Sequence, residues 1–398
     1  MKSYSAVVAL LVSVFLLISG SALAGLIVPL RAKIEGFPEL SIGLLGSVYF
    51  AGMLGGTLAA PTIVRRAGHI RAFSAFVAGS MVTVILLPIW LSPAVWLVLR
   101  GALGFAFAGV YGVTESWINS KASNANRGSL YGFYQIVTFA ASACGQLLLI
   151  TQTPTSFEAF SIAGSLLALA IVPLAMTRVE PPLKPKSVRI RLGWLARTSP
   201  VAALAAVAVG AANGAVYALG PVYALGLGLR PEQVPWFTTA VVVGSAIGVY
   251  PAGRLSDRFD RRTILVLAAV LGAFFETALW RHEGGGLLLV ALGFAVGVTS
   301  FSLYTIAISH ANDRATGEQL LLVSSGMLFL YCVGAIVAPT IAASMMRLFG
   351  ASALFAQSAL VHLALALFTL WRIVRRAPAA AQRRAADEAA HRPEPGLP

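Results

Sequence analysis

Apolar residues in this chain come in runs of about 20, long enough as helices to cross roughly 30 Å of hydrocarbon. Short polar gaps separate them. In the first half the runs cover Ser5–Leu30, Ile42–Val64, Phe73–Trp90, Val95–Ile118, Ser129–Ile150 and Phe157–Met176. In the second half they cover Val201–Leu225, Trp236–Ala252, Thr263–Trp280, Leu287–Ile308, Leu320–Met345 and Ser352–Trp371. They lack the strict alternation of a barrel strand, so each predicts a helix whose backbone is satisfied internally. The expected fold is all-α, with twelve transmembrane helices.

The pattern repeats. An offset of 192 carries Pro29 onto Pro221 and Gly68 onto Asp260, and a slightly smaller one superposes "ALGFA" at Ala102–Ala106 on "ALGFA" at Ala291–Ala295. Two parallel six-helix bundles are therefore expected, residues 1–176 and 201–371. Between them, 177–200 is proline-rich and basic and reads as a cytoplasmic linker, and 372–398 reads as a disordered basic cytoplasmic tail.

Composition agrees: 398 residues, 58% hydrophobic, with a mean hydropathy of +0.82, are too apolar for a soluble core. The net charge of +14 would suggest nucleic acid in a soluble protein, so the placement of the charges decides its meaning. Of the Lys and Arg, Arg31, Lys33, Arg230, Arg281 and Arg347 lie in odd-numbered loops and Arg100 lies within a span; all others occupy the even-numbered loops and the tails. That asymmetry predicts cytoplasmic termini and removes nucleic acid as a partner; a bacterial inner membrane is the expected location. Arg372, Arg375 and Arg376 could meet lipid headgroups. The start resembles a secretory signal, but its apolar run continues to Leu30 and has a counterpart in the second half, so retention is expected. Cys144 and Cys332 read as small packing residues, and no metal or cofactor site is expected.

"GRLSDRFDRR", Gly253–Arg262, concentrates charge between two apolar spans. It resembles the loop signature G-x-L-x-D-R-x-G-R-R of the major facilitator superfamily, with Asp260 in place of the usual glycine. "TESWINS" (Thr114–Ser120), "RRAGHIR" (Arg65–Arg71) and "SLYTIAISHANDR" (Ser302–Arg314) resemble its YcaD-like branch. The resemblance implies two halves rocking about a site near the membrane midplane, and a gate. In that gate Asp257 would accept from the unpaired N–H groups at the start of the fifth helix, around Asn126–Ser129. Gly253 would permit close approach, and Arg258, Arg261 and Arg262 would meet carboxylates or headgroups. In the first-half copy Arg65 stands where the aspartate belongs, so Arg65 or Arg66 is expected to donate to Glu115 or Glu318.

Polar positions inside the spans supply the candidate site. Arg100, Gly104, Ala108, Tyr111 and Glu115 share one face of the fourth helix, and "RGALG" matches the superfamily's R-x-x-x-G pattern there. Arg100 could bind an anionic group or donate to carbonyls of a neighbouring helix. The fifth helix aligns Tyr131, Gln135, Thr138, Ser142 and Gln146; the seventh adds Asn213 and Tyr217, the tenth Ser300 and Tyr304. Arg100, Tyr111, Gln135, Gln146, Asn213, Tyr217 and Tyr304 are the expected substrate contacts. Glu115 is the first candidate for proton coupling, and Glu276, expected to snorkel outward, the second.

The function expected is a monomeric secondary active or facilitative transporter of a small polar organic solute, with protons as a possible coupling ion. The alternative is a solute sensor on a transporter scaffold. An enzyme is not expected: H-E-x-x-H, G-x-S-x-G and the nucleotide-binding G-x-x-x-x-G-K-[ST] are all missing.

Overall fold

The computed structural model describes residues 2–121, 127–176, 190–317 and 319–375. Among these, twelve helices are long and apolar enough to span a membrane. In the first bundle they are α1 (Val8–Ile34), α2 (Glu39–Ala67), α3 (His69–Leu86), α4 (Pro93–Ile118), α5 (Leu130–Thr151) and α6 (Phe157–Ala175). In the second they are α7 (Pro200–Gly226), α8 (Pro231–Arg258), α9 (Arg261–Arg281), α10 (Leu287–Asn312), α11 (Gln319–Phe349) and α12 (Ala353–Arg375).

Several helices outrun their apolar stretches. α2 carries Arg65 and Arg66 in its last turn, and α12 continues past Trp371 to Arg375. The largest correction concerns the charged signature, which is mostly helix and not loop. Gly253, Asp257 and Arg258 lie in the closing turns of α8, and Arg261 and Arg262 open α9. Phe259 and Asp260 alone connect them. Gly253 costs a helix about 1 kcal/mol, and Ser256 and Asp257 less, but no proline lies between Ala252 and Arg258, so the polar change in sequence does not end it. The described part of the linker includes a short helix, Leu192–Thr198, packed on α7 and α11. Residues 177–189 of the linker, the tail beyond Arg375, Asn126 and Glu318 lie outside the described residues.

Glycine seams hold each bundle and display the repeat. A Cβ on Gly52 would stand 2.0 Å from the Gly101 carbonyl oxygen and one on Gly104 2.0 Å from the Tyr49 oxygen, so α2 and α4 touch backbone to backbone. The same offset of 192 carries Gly52 and Gly56 onto Gly244 and Gly248 of α8. There a Cβ would meet the Phe294 and Val298 oxygens at 2.1 and 2.3 Å. Lipid gives helices little hydrophobic reason to associate, so close approach of small residues supplies the packing energy. α1 and α7 are the most enclosed spans. The bundles join where α2 meets α11, α5 meets α8 and α1 meets α7.

Their tightest contacts lie on the membrane face opposite the linker. Gly43 and Gly46 of α2 leave room for Pro339 and Ala343 of α11 and Ala218 of α7. The Ser47 and Thr340 hydroxyls hydrogen-bond at 2.7 Å across that seam.

Candidate functional site

Between the bundles, α1, α5, α7 and α8 enclose a cavity of about 300 Å³. Its polar lining is Ser21 from α1, Tyr111 from α4, Thr138, Ser142 and Gln146 from α5, Tyr217 from α7, and Thr238 and Ser245 from α8; Phe301 of α10 also faces it. Among the described residues, no Asp, Glu, Lys or Arg belongs to that lining. The α5 face is amphipathic because Thr138, Ser142 and Gln146 recur at intervals of four, which places them one above another on a helix.

Gln146 also joins the halves: its Oε1 accepts from the Thr239 hydroxyl of α8 at 3.2 Å. Tyr217 packs on two aromatic rings of α2, with centroids 6.3 Å from Tyr49 and 6.2 Å from Phe50. Its ring fits because Gly25 of α1 has no side chain; a Cβ there would lie 2.6 Å from the Tyr217 hydroxyl.

Arg100 sits behind this cavity, outside its lining. Buried at 4% exposure, it stacks its guanidinium 4.4 Å from the Tyr49 ring centroid and points Nε at the Leu45 carbonyl, 3.5 Å away. This is the packing arrangement, in which cation and ring attract in a desolvated place. Arg100 thus reaches the cavity through Tyr49 and Tyr217. Tyr49 went unrecognised in the sequence because nothing local marks it; its role follows from the α2–α4 seam.

A second cavity, also about 300 Å³, lies toward the linker side and is lined by His69, Tyr111, Glu115, Ser116 and Leu328 among others. Tyr111 is common to both. The His69 ring and the Ser116 hydroxyl are 3.3 Å apart.

The remaining candidates separate. Gln135 is exposed on α5 and lies outside both linings. Asn213 is buried at 4% exposure with Oδ1 unpartnered, away from both linings. Tyr304 packs edge-on to Tyr331 at 5.6 Å. Cys332 is buried as expected, whereas Cys144 is exposed. Glu276 does not snorkel: it has 0% exposure and pairs with His362 of α12 at 2.8 Å. Its partner is 86 residues away, which the local pattern could not disclose.

At the linker-side turns, Asp257 pairs with Arg261 one helical turn on, at 3.0 Å. Arg261 also reaches Asp313 beyond α10, at 2.6 Å. Asp257 is 67% exposed, and its expected contact near Asn126 falls outside the described residues. Asp260 caps α9 by accepting from the Arg262 backbone N–H at 2.8 Å. It also pairs with the Arg262 side chain at 3.1 Å. Burial raises the Asp260 carboxyl pKa, but the hydrogen bonds and charge of Arg262 outweigh this and hold it below the ordinary value. Arg65 donates to Thr62 on its own helix at 3.0 Å. Among the described residues neither Arg65 nor Arg66 forms an ion pair with Glu115.

Comparison with known proteins places this geometry. The family model described as Major Facilitator Superfamily matches residues 10–234 and 201–396. An uncharacterised MFS-type transporter, YcaD, of Escherichia fergusonii is 26% identical over 365 residues, covering 89% of this chain and 93% of its own. One from Yersinia enterocolitica is 26% identical over 394 residues, covering 92% and 97%. Among solved structures, the nucleoside transporter NupG superposes with a TM-score of 0.78 at 11% identity, covering 92% of this chain and 98% of its own. A bacterial homologue of the human lysosomal transporter Spinster, inward-facing and unoccupied, gives 0.73 at 13% identity, covering 93% and 95%.

Proposed function

The chain belongs to the Major Facilitator Superfamily, and from that premise we propose that it carries a small, polar, uncharged organic solute by alternating access. One observation supports this most directly: among the described residues, the central cavity is lined by hydroxyls, a carboxamide and aromatic rings and by no Asp, Glu, Lys or Arg. An ion entering it would lose hydration with no counter-charge to replace it. A neutral solute replaces its water hydrogen bonds with those of Ser21, Gln146 and Tyr217 and lays an apolar face on Phe301.

The gate in this reading is the α2–α11 seam, where Ser47 and Thr340 close the face opposite the linker and glycines permit a dry contact. The positive-inside distribution of charge favours the linker side as cytoplasmic, which makes the described state inward-facing and both termini cytoplasmic, in a bacterial inner membrane. Rocking would break the Ser47–Thr340 contact and close the Glu115 cavity. Glu115 would carry a proton in a coupled cycle and stay a spectator in a facilitative one. Arg100 acts by orienting Tyr49 and Tyr217, and Arg261, with Asp257 and Asp313, acts at the linker-side gate.

Counterflow in proteoliposomes tests the reading. Neutral solutes including sugars, polyols and nucleosides, together with organic anions and cations, are first ranked by thermal stabilisation of the purified protein. Exchange of a neutral compound that weakens with Gln146→Ala supports the proposal. Exchange confined to ions overturns the neutral-solute assignment, and binding without exchange overturns transport.

A further inference from the structure

We propose that the linker-side cavity is a second ligand site, separate from the central one, that takes a protonated amine carried on a small apolar body, and that its occupant holds the linker side open. The binding stands on the cavity itself; the conformational consequence rests on the alternating-access reading above. The cavity, of about 300 Å³, is at the small end of those that hold organic ligands. α2, α4 and the start of α3 supply its wall from the first bundle, and Leu328 of α11 faces that wall from the second.

Charge sets the class of ligand. Among the described residues, Glu115 is the one Asp, Glu, Lys or Arg in this lining; it is exposed, and no described Lys, Arg or His forms an ion pair with it. A carboxylate in the last turns of a span, with no described counter-charge against it, favours a cation.

A primary ammonium brings three N–H donors. Glu115 accepts one, and the Tyr111 phenol, one turn earlier on α4, and the Ser116 hydroxyl offer further oxygens. Ser116 shares a hydrogen bond with His69 at 3.3 Å; whichever of the two donates, the hydroxyl oxygen keeps a lone pair for the ligand. Thr57 spends its hydroxyl on the Met53 carbonyl of its own helix at 2.9 Å, so the α2 wall presents carbon, chiefly from Met53, Pro61 and Val64. A bare metal ion finds too few oxygens there to replace its water. An amine bearing a hydrocarbon group matches both parts of the wall.

The position of the cavity ties occupancy to conformation. α2 and α11 run antiparallel, Gly43 facing Ala343 and Gly46 facing Pro339, and the Ser47–Thr340 hydrogen bond closes them at 2.7 Å. At 1.5 Å per residue, Thr57 lies about 15 Å and Leu328 about 18 Å from that bond along their helices, both toward the linker side. The cavity therefore fills the mouth of a V whose apex is the Ser47–Thr340 contact. At its level α2 is fixed to α4: a Cβ on Gly52 would stand 2.0 Å from the Gly101 oxygen and one on Gly56 2.3 Å from the Phe105 oxygen. The two helices form one body, and closing the V brings Leu328 of α11 into the volume that an occupant takes up. Packed interiors do not compress to admit both. A ligand that binds only the open form shifts the population toward it. Tyr111 also lines the central cavity, so this occupant lies next to the solute without taking its place.

The test uses the full chain in phosphatidylglycerol nanodiscs, which contain no lipid amine, with phenethylammonium chloride as probe and phenethyl alcohol as its neutral counterpart. Calorimetric titration should show binding of the ammonium and none of the alcohol, and Glu115→Gln should weaken that binding about tenfold or more. Double electron–electron resonance between labels at Arg71→Cys and Leu320→Cys, one on each bundle at the linker side, with both native cysteines replaced, should lose its short-distance population when the ammonium is added. Where Glu115→Gln fails to fold, Leu328→Trp, which fills the cavity from α11, should weaken the ammonium with Glu115 intact. In phosphatidylethanolamine nanodiscs, a long-distance population that precedes the probe and is removed by Glu115→Gln assigns the amine to a lipid headgroup; one that appears only with the probe assigns it to a free amine. Equal binding of the alcohol overturns recognition of charge. Binding that survives Glu115→Gln and is lost on Ser142→Ala puts the probe in the central cavity and overturns the second site. Binding that depends on Glu115 but leaves the distances unchanged overturns the hold on the linker side. None of these measurements needs exchange, so a failed counterflow assay refutes transport and leaves the amine site standing.

Discussion

The α2–α3 and α8–α9 connections occupy equivalent places in the two bundles and make the same tight reversal by different means. In the first, Gly68 adopts φ 84°, ψ 159°, and its N–H bonds the Val64 carbonyl. That backbone region is essentially reserved for glycine. In the second, Asp260 sits at φ −58°, ψ 121°, and its carboxylate caps α9 and holds Arg262. One half uses backbone freedom, the other side-chain electrostatics. The repeat therefore preserves topology while its chemistry diverges, and a signature residue is interpretable only with its dihedral angles.

Exchanging residues tests that contrast most strongly. Gly68→Asp forces a side chain into the glycine-only region and should cost about 1–3 kcal/mol, seen as a lowered midpoint of thermal unfolding in detergent. Asp260→Gly faces no such strain, and loss of a cap to glycine costs only a few tenths of a kcal/mol. Loss of the Arg262 contact adds to that, so the total should stay near ~1 kcal/mol. Equal effects from the two exchanges would remove the distinction between the turns.

Acidification isolates the electrostatic half. The folded pKa of Asp260 lies below its ordinary value, so its stabilising contribution is complete above about pH 4. It is lost as the pH falls through the lower folded-state value. Asp260→Asn should therefore flatten the acid limb of the stability curve, and Gly68→Ala should leave that limb's shape unchanged.

Smaller effects are expected around Arg261. Arg261→Gln severs contacts with both Asp257 and Asp313 and should cost up to about 1 kcal/mol, screened by salt. Asp257→Asn removes one exposed partner and should lower stability by no more than a few tenths of a kcal/mol in the described state. A larger loss in linker-side distance measurements, confined to conditions that close that side, would restore Asp257 as a gate at the start of α5.

The apolar runs identified all twelve spans because, in lipid, helix formation answers a local requirement: each segment must satisfy its own backbone. Helix ends were less legible. The polar residues of Gly253–Arg258 lower hydropathy sharply but helical tendency only modestly, so α8 continued where the apolar run stopped. The cavity's polar lining was legible on α5, where Thr138, Ser142 and Gln146 repeat on one face, and illegible on α2, where Tyr49 meets Arg100 only across a glycine seam.

By itself, then, the sequence determined the number of spans, their division into two bundles and the charge asymmetry along the chain, since these depend on composition within each segment. The tertiary structure decided which polar groups meet. Gln135 and Gln146 share a helix face, yet only Gln146 enters the cavity, because the bundles converge at one end of α5. Asn213 and Tyr217 stand one turn apart, yet only Tyr217 lines it. Glu276 became a buried partner of His362 because α9 and α12 pack together. Hydropathy reports how apolar a helix is; which way it is rotated, and against what, is set by long-range packing of small residues that no local window contains.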